Sequence, residues 1–204
     1  SPVPLLKDKG DMIMSVKNII IAGVGGQGTL LASKLMGKVF TDLGYDVKVS
    51  EVHGMSQRGG SVVTYVRFGD KVWSSLIEEG EADIVLSFEQ LEMARWLPYL
   101  KPDGVMITST QKMDPMSVIT GNAVYPEGVI ESVKALGVNV VDVDALALAE
   151  EAGSARCVNL VLLGVCAKFL HIEKGVWESA IRETVPAKTI DMNINAFNFG
   201  YSAE

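Results

Sequence analysis

Two stretches of the sequence gather residue types that do chemistry. The first, Gly23-Val24-Gly25-Gly26-Gln27-Gly28-Thr29, packs four glycines, an amide and a hydroxyl into seven residues. Glycine lets a backbone turn tightly and approach a ligand, and N–H groups left free at the start of a helix favour a phosphate or carboxylate. The second, His53-Gly54-Met55-Ser56-Gln57-Arg58-Gly59-Gly60, brings together an imidazole, an amide, a guanidinium and a glycine pair. That mixture suits a polyanion or a carboxylate-bearing substrate. Each has a plainer alternative. The glycine run can be a turn that only packs a helix on a sheet, because a lone GxGxxG match has low specificity. The second stretch can be an exposed loop whose Arg58 pairs with a surface acid.

The elements that must position these stretches follow from periodicity. Asn18 to Val24 is a short β-branched run of the kind buried on both faces of a parallel sheet, and it ends in glycine. After Gly28, the residues Leu31, Ala32, Leu35, Met36, Val39, Phe40 and Leu43 recur at helical spacing up to Gly44. Asp46 to Val52 supplies a second strand and completes a strand, helix, strand unit. Both chemical stretches then leave the carboxyl ends of parallel strands, so they should share one rim of the sheet.

Farther along, Ser61 to Phe68 and Lys71 to Ser74 read as strands joined by a Gly69-Asp70 turn, which predicts an antiparallel hairpin insertion. Alternation resumes with a strand at 83–88, a helix at 89–97, a strand at 104–108, a helix at 127–136 and a strand at 139–143. Two or three helices close the chain, beginning with the nearly all-apolar run 155–170 and continuing near 176–184. The expected fold is α/β, a three-layer α/β/α sandwich on a mostly parallel sheet. Residues 1–15 read as an N-terminal arm and 16–204 as a single domain.

Composition narrows the function classes. The chain has 204 residues, 48% apolar and 21% charged, with a net charge of −7, the profile of a soluble globular protein. The excess of acids and the lack of any basic run argue against nucleic acid as a partner. The two cysteines, Cys157 and Cys166, lack Cys or His neighbours at metal-ligand spacing, so no zinc site or iron–sulfur cluster is expected from this chain alone. No run is long and apolar enough for a bilayer and no signal-peptide pattern is found, so a cytoplasmic location is expected.

The weaker signals have structural readings beside the functional ones. Glu51 stands roughly where a ribose-binding acid lies in dinucleotide folds, so an NAD(P)-dependent dehydrogenase is one alternative reading. Its spacing is a few residues long for that. Glu78, Glu79 and Glu81 read as a solvated connection, Asn159 as a hydrogen-bonded core amide, and Trp73, Trp96 and Trp177 as core or interface residues. A third alternative is a non-enzymatic scaffold subunit with a purely structural glycine turn.

Taken together the motifs resemble the gamma-type subunits of the 2-oxoacid:ferredoxin oxidoreductases. The resemblance runs from Val16 onward through GVGGQGTLLASKLM, SEVHGMSQRGGSVVTYVRFG, ADIVLSFEQLEMARWLPYLKPDG, CVNLVLLG and NINAFNFG. His53, Met55 and Gln57 before the Arg-Gly-Gly look like the indolepyruvate branch. The resemblance implies oxidative decarboxylation of an arylpyruvate to an acyl-coenzyme A, with thiamine diphosphate and [4Fe-4S] clusters carried by a larger alpha subunit and electrons passed to ferredoxin. This chain would bind none of those groups alone and would be inactive alone. Its implied part is to hold an anionic group, a coenzyme A phosphate or the 2-oxo acid carboxylate. The residues expected to do so are Gly23, Gly25, Gly26, Gln27, Gly28, Thr29, Gln57, Arg58, Gly59 and Gly60. No catalytic residue is assigned; His53 and Arg58 are the candidates, and His53 can equally serve only to position its neighbours.

Overall fold

The computed structural model describes residues 15–53 and 60–203. Strand β1, Lys17–Val24, is buried from Asn18 onward, as a run of successive isoleucines requires when both faces of a sheet are covered. It lies inside a six-stranded sheet with β2 (Asp46–His53), β3 (Ser61–Gly69), β4 (Ala82–Ser87), β5 (Leu100–Ser109) and β6 (Asn139–Val143). The order is β2-β3-β1-β4-β5-β6. Five strands run in one direction, and β3 runs against them, between β2 and β1.

Helices cover both faces. On one side lie α1 (Thr29–Asp42), α5 (Ala145–Glu151), α6 (Val158–Leu170), α7 (Lys174–Thr184) and α8 (Ile190–Ser202), against Ile19, Ile21, Leu86 and Ile107. On the other lie α2 (Gln90–Arg95) and α4 (Val129–Ala135), against Ile20, Val85 and Met106. Alternate residues of each strand thus feed alternate cores, and each fully buried isoleucine contributes about 2 kcal/mol by leaving water. The α/β/α sandwich expected from the sequence is the observed architecture.

The expected hairpin partner is a correction. Lys71 to Ser74 is not a strand, because β3 has both edges occupied: eight of its nine residues pair with β2 and eight pair with β1. The segment instead leaves the sheet, held by Val72 N–H donating to Asp46 Oδ2 at 2.9 Å and by Arg67 Nη1 donating to the Ser74 carbonyl at 3.0 Å. The hairpin that does exist is β2–β3, closed by the segment between His53 and Gly60. Two short helices also escaped the sequence reading, α3 (Met116–Ile119) and α5, the latter capped by the Asp144 carboxylate accepting Ala147 N–H at 3.0 Å.

Helix α6 is buried over eleven of its thirteen residues and lies between the sheet and α8. The two helices touch backbone to backbone: a Cβ on Gly164 would overlap the Phe197 carbonyl, and one on Gly200 would overlap the Val161 carbonyl. Trp177 of α7 fills the space between Phe40 of α1 and Phe197 of α8, with ring centroids 6.2 and 6.1 Å away. This packing fixes where α6 begins, and its beginning faces the glycine turn.

Candidate functional site

The glycine turn leaves β1 and enters α1. Gly26 and Gly28 have φ of 95° and 85°, a left-handed conformation that a side chain resists. Gln27 braces the turn from within: its Oε1 accepts Val24 N–H at 2.7 Å, its Nε2 donates to the Phe88 carbonyl at 3.1 Å, and its own N–H donates to the Val24 carbonyl at 3.2 Å. The sequence motif predicts Gln27 as a donor to a ligand. Its amide is instead engaged inside the fold, at both ends. Gly23 makes that possible, since a Cβ there would sit 2.9 Å from Gln27 Oε1.

The second corner meets the first directly. Gly25 N–H donates to the Gly60 carbonyl at 3.0 Å, so the two glycine-bearing stretches share one rim, as the topology predicted. His53 closes β2 and pairs with Val62 across the ladder. Gln57, Arg58 and Gly59 lie outside the described residues, as does the side chain of His53.

A cleft of about 530 Å³ opens over the glycine turn, walled by Gly25 to Gly28, Gln111, Met113, Leu146 and Arg156. Arg156 was not anticipated from the sequence. It sits in a single 3-10 turn, Ala155–Cys157, just ahead of α6, where Ser154 Oγ accepts its N–H at 3.3 Å. Asn159, the second residue of α6, donates from Nδ2 to the Gly28 carbonyl at 3.3 Å and accepts Leu160 N–H at 3.0 Å, the structural amide expected of it. The start of α6 is thereby pinned to the start of α1. No carboxylate walls this cleft among the described residues. In a chain of net charge −7 that is a local reversal of sign, and it suits an anion.

A second cleft of about 230 Å³ adjoins it, bounded by Ser61, Glu89, Glu92, Arg95 and Met113. Asp114 also lines this cleft, and its two glutamates are already engaged. Glu92 accepts the Ser61 hydroxyl at 2.5 Å and Arg95 Nη1 at 2.6 Å. Glu89 accepts the Tyr125 hydroxyl, and burial together with that bond pushes the Tyr125 phenol well above its ordinary range. Met113 is a wall of both clefts.

Other candidates fall into place. Glu51 lies on β2, which the intervening β3 separates from β1, and its Oε1 accepts the Ser33 hydroxyl of α1 at 3.5 Å. Glu78 and Glu79 are exposed. Cys157 and Cys166 are both buried, and burial pushes the Cys166 thiol up to about 12. Two buried thiols nine residues apart offer no ligand set for an iron–sulfur cluster.

Residues 18–203 match the family model described as pyruvate ferredoxin/flavodoxin oxidoreductase. The chain belongs to that family. As a member, it is a subunit of a ferredoxin-dependent 2-oxoacid oxidoreductase. Among its relatives, the indolepyruvate oxidoreductase subunit IorB of Thermococcus kodakarensis is 43% identical over 198 residues, 93% of this chain and 96% of the relative. The keto/oxoacid ferredoxin oxidoreductase gamma subunit of Geobacter sulfurreducens shares the fold, with a TM-score of 0.68 at 22% identity over 91% of this chain and 96% of that one. So does part of the 2-oxoglutarate:ferredoxin oxidoreductase of Magnetococcus marinus, solved with 2-oxoglutarate, coenzyme A and succinyl-CoA bound, with a TM-score of 0.71 at 19% identity over 92% of this chain and 30% of that one.

Proposed function

We propose that this chain is the gamma-type subunit of an indolepyruvate-type ferredoxin oxidoreductase and that its glycine cleft holds a phosphate of coenzyme A. One observation carries the reading: a cleft edged by the Gly25–Gly28 backbone and by Arg156, with no carboxylate wall, on an otherwise acidic chain. Its volume exceeds what a carboxylate alone needs, and the Leu146 and Met113 walls suit the organic body of a larger ligand. The IorB relatives support the indolepyruvate assignment. The 2-oxo acid carboxylate is the competing occupant.

In this reading an alpha subunit carries the thiamine diphosphate and [4Fe-4S] clusters and passes electrons to ferredoxin, outside any membrane. When bound there, thiamine diphosphate supplies the carbanion chemistry of decarboxylation. What this chain contributes is binding and orientation. The backbone turn supplies N–H donors at Gly26 and Gly28, and Arg156 supplies a guanidinium able to grip two phosphate oxygens. To the same anion we assign Gln57, Arg58 and Gly59 from the sequence motif alone, with His53 shortly before them in the chain.

Reconstitution tests the assignment. The isolated chain is expected to show no turnover, and addition of the alpha subunit to restore arylpyruvate-dependent viologen reduction; turnover by the chain alone would overturn it. In the complex, Arg156→Ala should raise the KM for coenzyme A about tenfold to a hundredfold, the equivalent of about 1.5–3 kcal/mol for a charge-assisted bond, with Arg156→Lys between the two. A rise in the KM for the 2-oxo acid instead would move the site to the substrate carboxylate.

A further inference from the structure

Glu89 is a carboxylate with only 1% of its surface exposed. It follows β4 at the same rim as the glycine turn, and its oxygens are met by N–H and O–H donors. Oε2 accepts Glu92 N–H at 2.9 Å, which caps α2. Oε1 accepts Met113 N–H at 3.3 Å and the Tyr125 hydroxyl. Those last two donors bracket the crossing from β5 to α4, the strap of chain that carries Gln111 and Met113 over the rim. Gln90, the next residue, ties the near end of the strap: its Nε2 donates to the Thr110 carbonyl at 2.8 Å and its N–H to the Gln111 carbonyl at 3.3 Å.

Holding α2 alone does not call for a buried carboxylate, since a side chain of lower desolvation cost can cap a helix. What a carboxylate offers is two oxygens able to accept several donors at once, here from three separate stretches of chain. The strap it fastens walls both clefts: Gln111 and Met113 line the glycine cleft, and Met113 and Met116 line the adjoining one. Phe88, immediately before Glu89, accepts the Gln27 amide of the glycine turn. Phe88 to Gln90 is therefore a hub that ties the floor of the cleft to its wall.

We propose that Glu89 is a positioning residue: through Met113 and Tyr125 it holds the strap at the height that sets the width of the glycine cleft, and so the affinity for the anion bound there. This rests on the coenzyme A reading given above. Tyr125 is a wall of neither cleft, so a change at its hydroxyl reaches the glycine cleft through the strap or through Glu89, and not by direct contact.

The test is made on the complex reconstituted with its alpha subunit. Tyr125→Phe should raise the KM for coenzyme A about threefold to tenfold while kcat stays within about twofold, the scale expected for one lost hydrogen bond. Glu89→Gln, which keeps an acceptor at Oε1, should fall between the native protein and Glu89→Ala. Amide hydrogen exchange on the full chain should speed up across residues 113–124 in Tyr125→Phe and in Glu89→Ala. Unchanged exchange in both overturns the proposal whatever coenzyme A does, and so does Glu89→Gln as impaired as Glu89→Ala, which would mean that Glu89 meets the ligand by its charge. Arg156→Ala, measured alongside, reads the coenzyme A assignment separately. Where it raises the KM and Tyr125→Phe does not, the strap does not set affinity and the proposal falls. Where neither moves it, the assignment of coenzyme A is at fault, and the exchange result alone decides the role of Glu89.

Discussion

At Gly28 two constraints meet in one residue. Its φ of 85° is strained for any side chain, and a Cβ there would lie 2.7 Å from Asn159 Nδ2. Gly26 has the same backbone handicap, φ of 95°, but open space where its Cβ would stand. Gly26→Ala should thus cost about 1 kcal/mol of stability from strain alone, and Gly28→Ala about 2–3 kcal/mol because Asn159 must also move, as read from denaturant midpoints. Equal losses would mean that Asn159 yields freely and that the seam between α1 and α6 is loose. The glycines were legible in the sequence because their spacing at a strand end has few other uses. Arg156 was not legible, since its partner surface lies about 130 residues earlier and no local pattern links them. The place of Gln27 was legible and its hydrogen bonds were not, because a sequence does not say whether an amide points outward or back into its own turn.

The helices divide in the same way between what pattern shows and what packing decides. A nearly all-apolar stretch over 155–170 announced a buried helix, and the structure encloses α6 between the sheet and α8. The sequence did not say which helix would lie against it. Gly164 and Gly200 supply the answer, since at these two positions the backbones of α6 and α8 come into contact. A methyl group at Gly200 has a carbonyl rather than a flexible side chain to displace. Gly200→Ala should therefore cost about 3 kcal/mol or more, seen as a lowered denaturant midpoint or as insoluble protein, whereas Gly175→Ala, with nothing within 4 Å of its Cβ, should be neutral or slightly stabilising. A mild effect at Gly200 would show that α8 can slide on α6. The strands taught the opposite lesson. β3 was recognisable as a strand, but alternation names a buried face and not a neighbour, so its true partners were found only when both of its edges proved to be occupied.

Across the whole molecule, the two thiols report on cohesion. Cys166 is fully buried with its thiol pushed up to about 12, and Cys157 is raised in the same direction, in each case by burial. Thiolate is the reactive form and is scarce for both at pH 8, so iodoacetamide should label them only as fast as the core opens, and both together. Rapid labelling of Cys166 in the native protein would mean that α6 detaches on its own. The sandwich, its strand direction and the shared rim were legible from end to end of the chain, because burial periodicity and connection rules act over every element. The ladder clamps His53 to Val62 across from each other, and Gly60 is tied back to Gly25. Both ends of the stretch from 54 to 59 are therefore moored to strands that would fold in the same way without it. Substitutions within that stretch should therefore leave the denaturant midpoint of the scaffold unchanged.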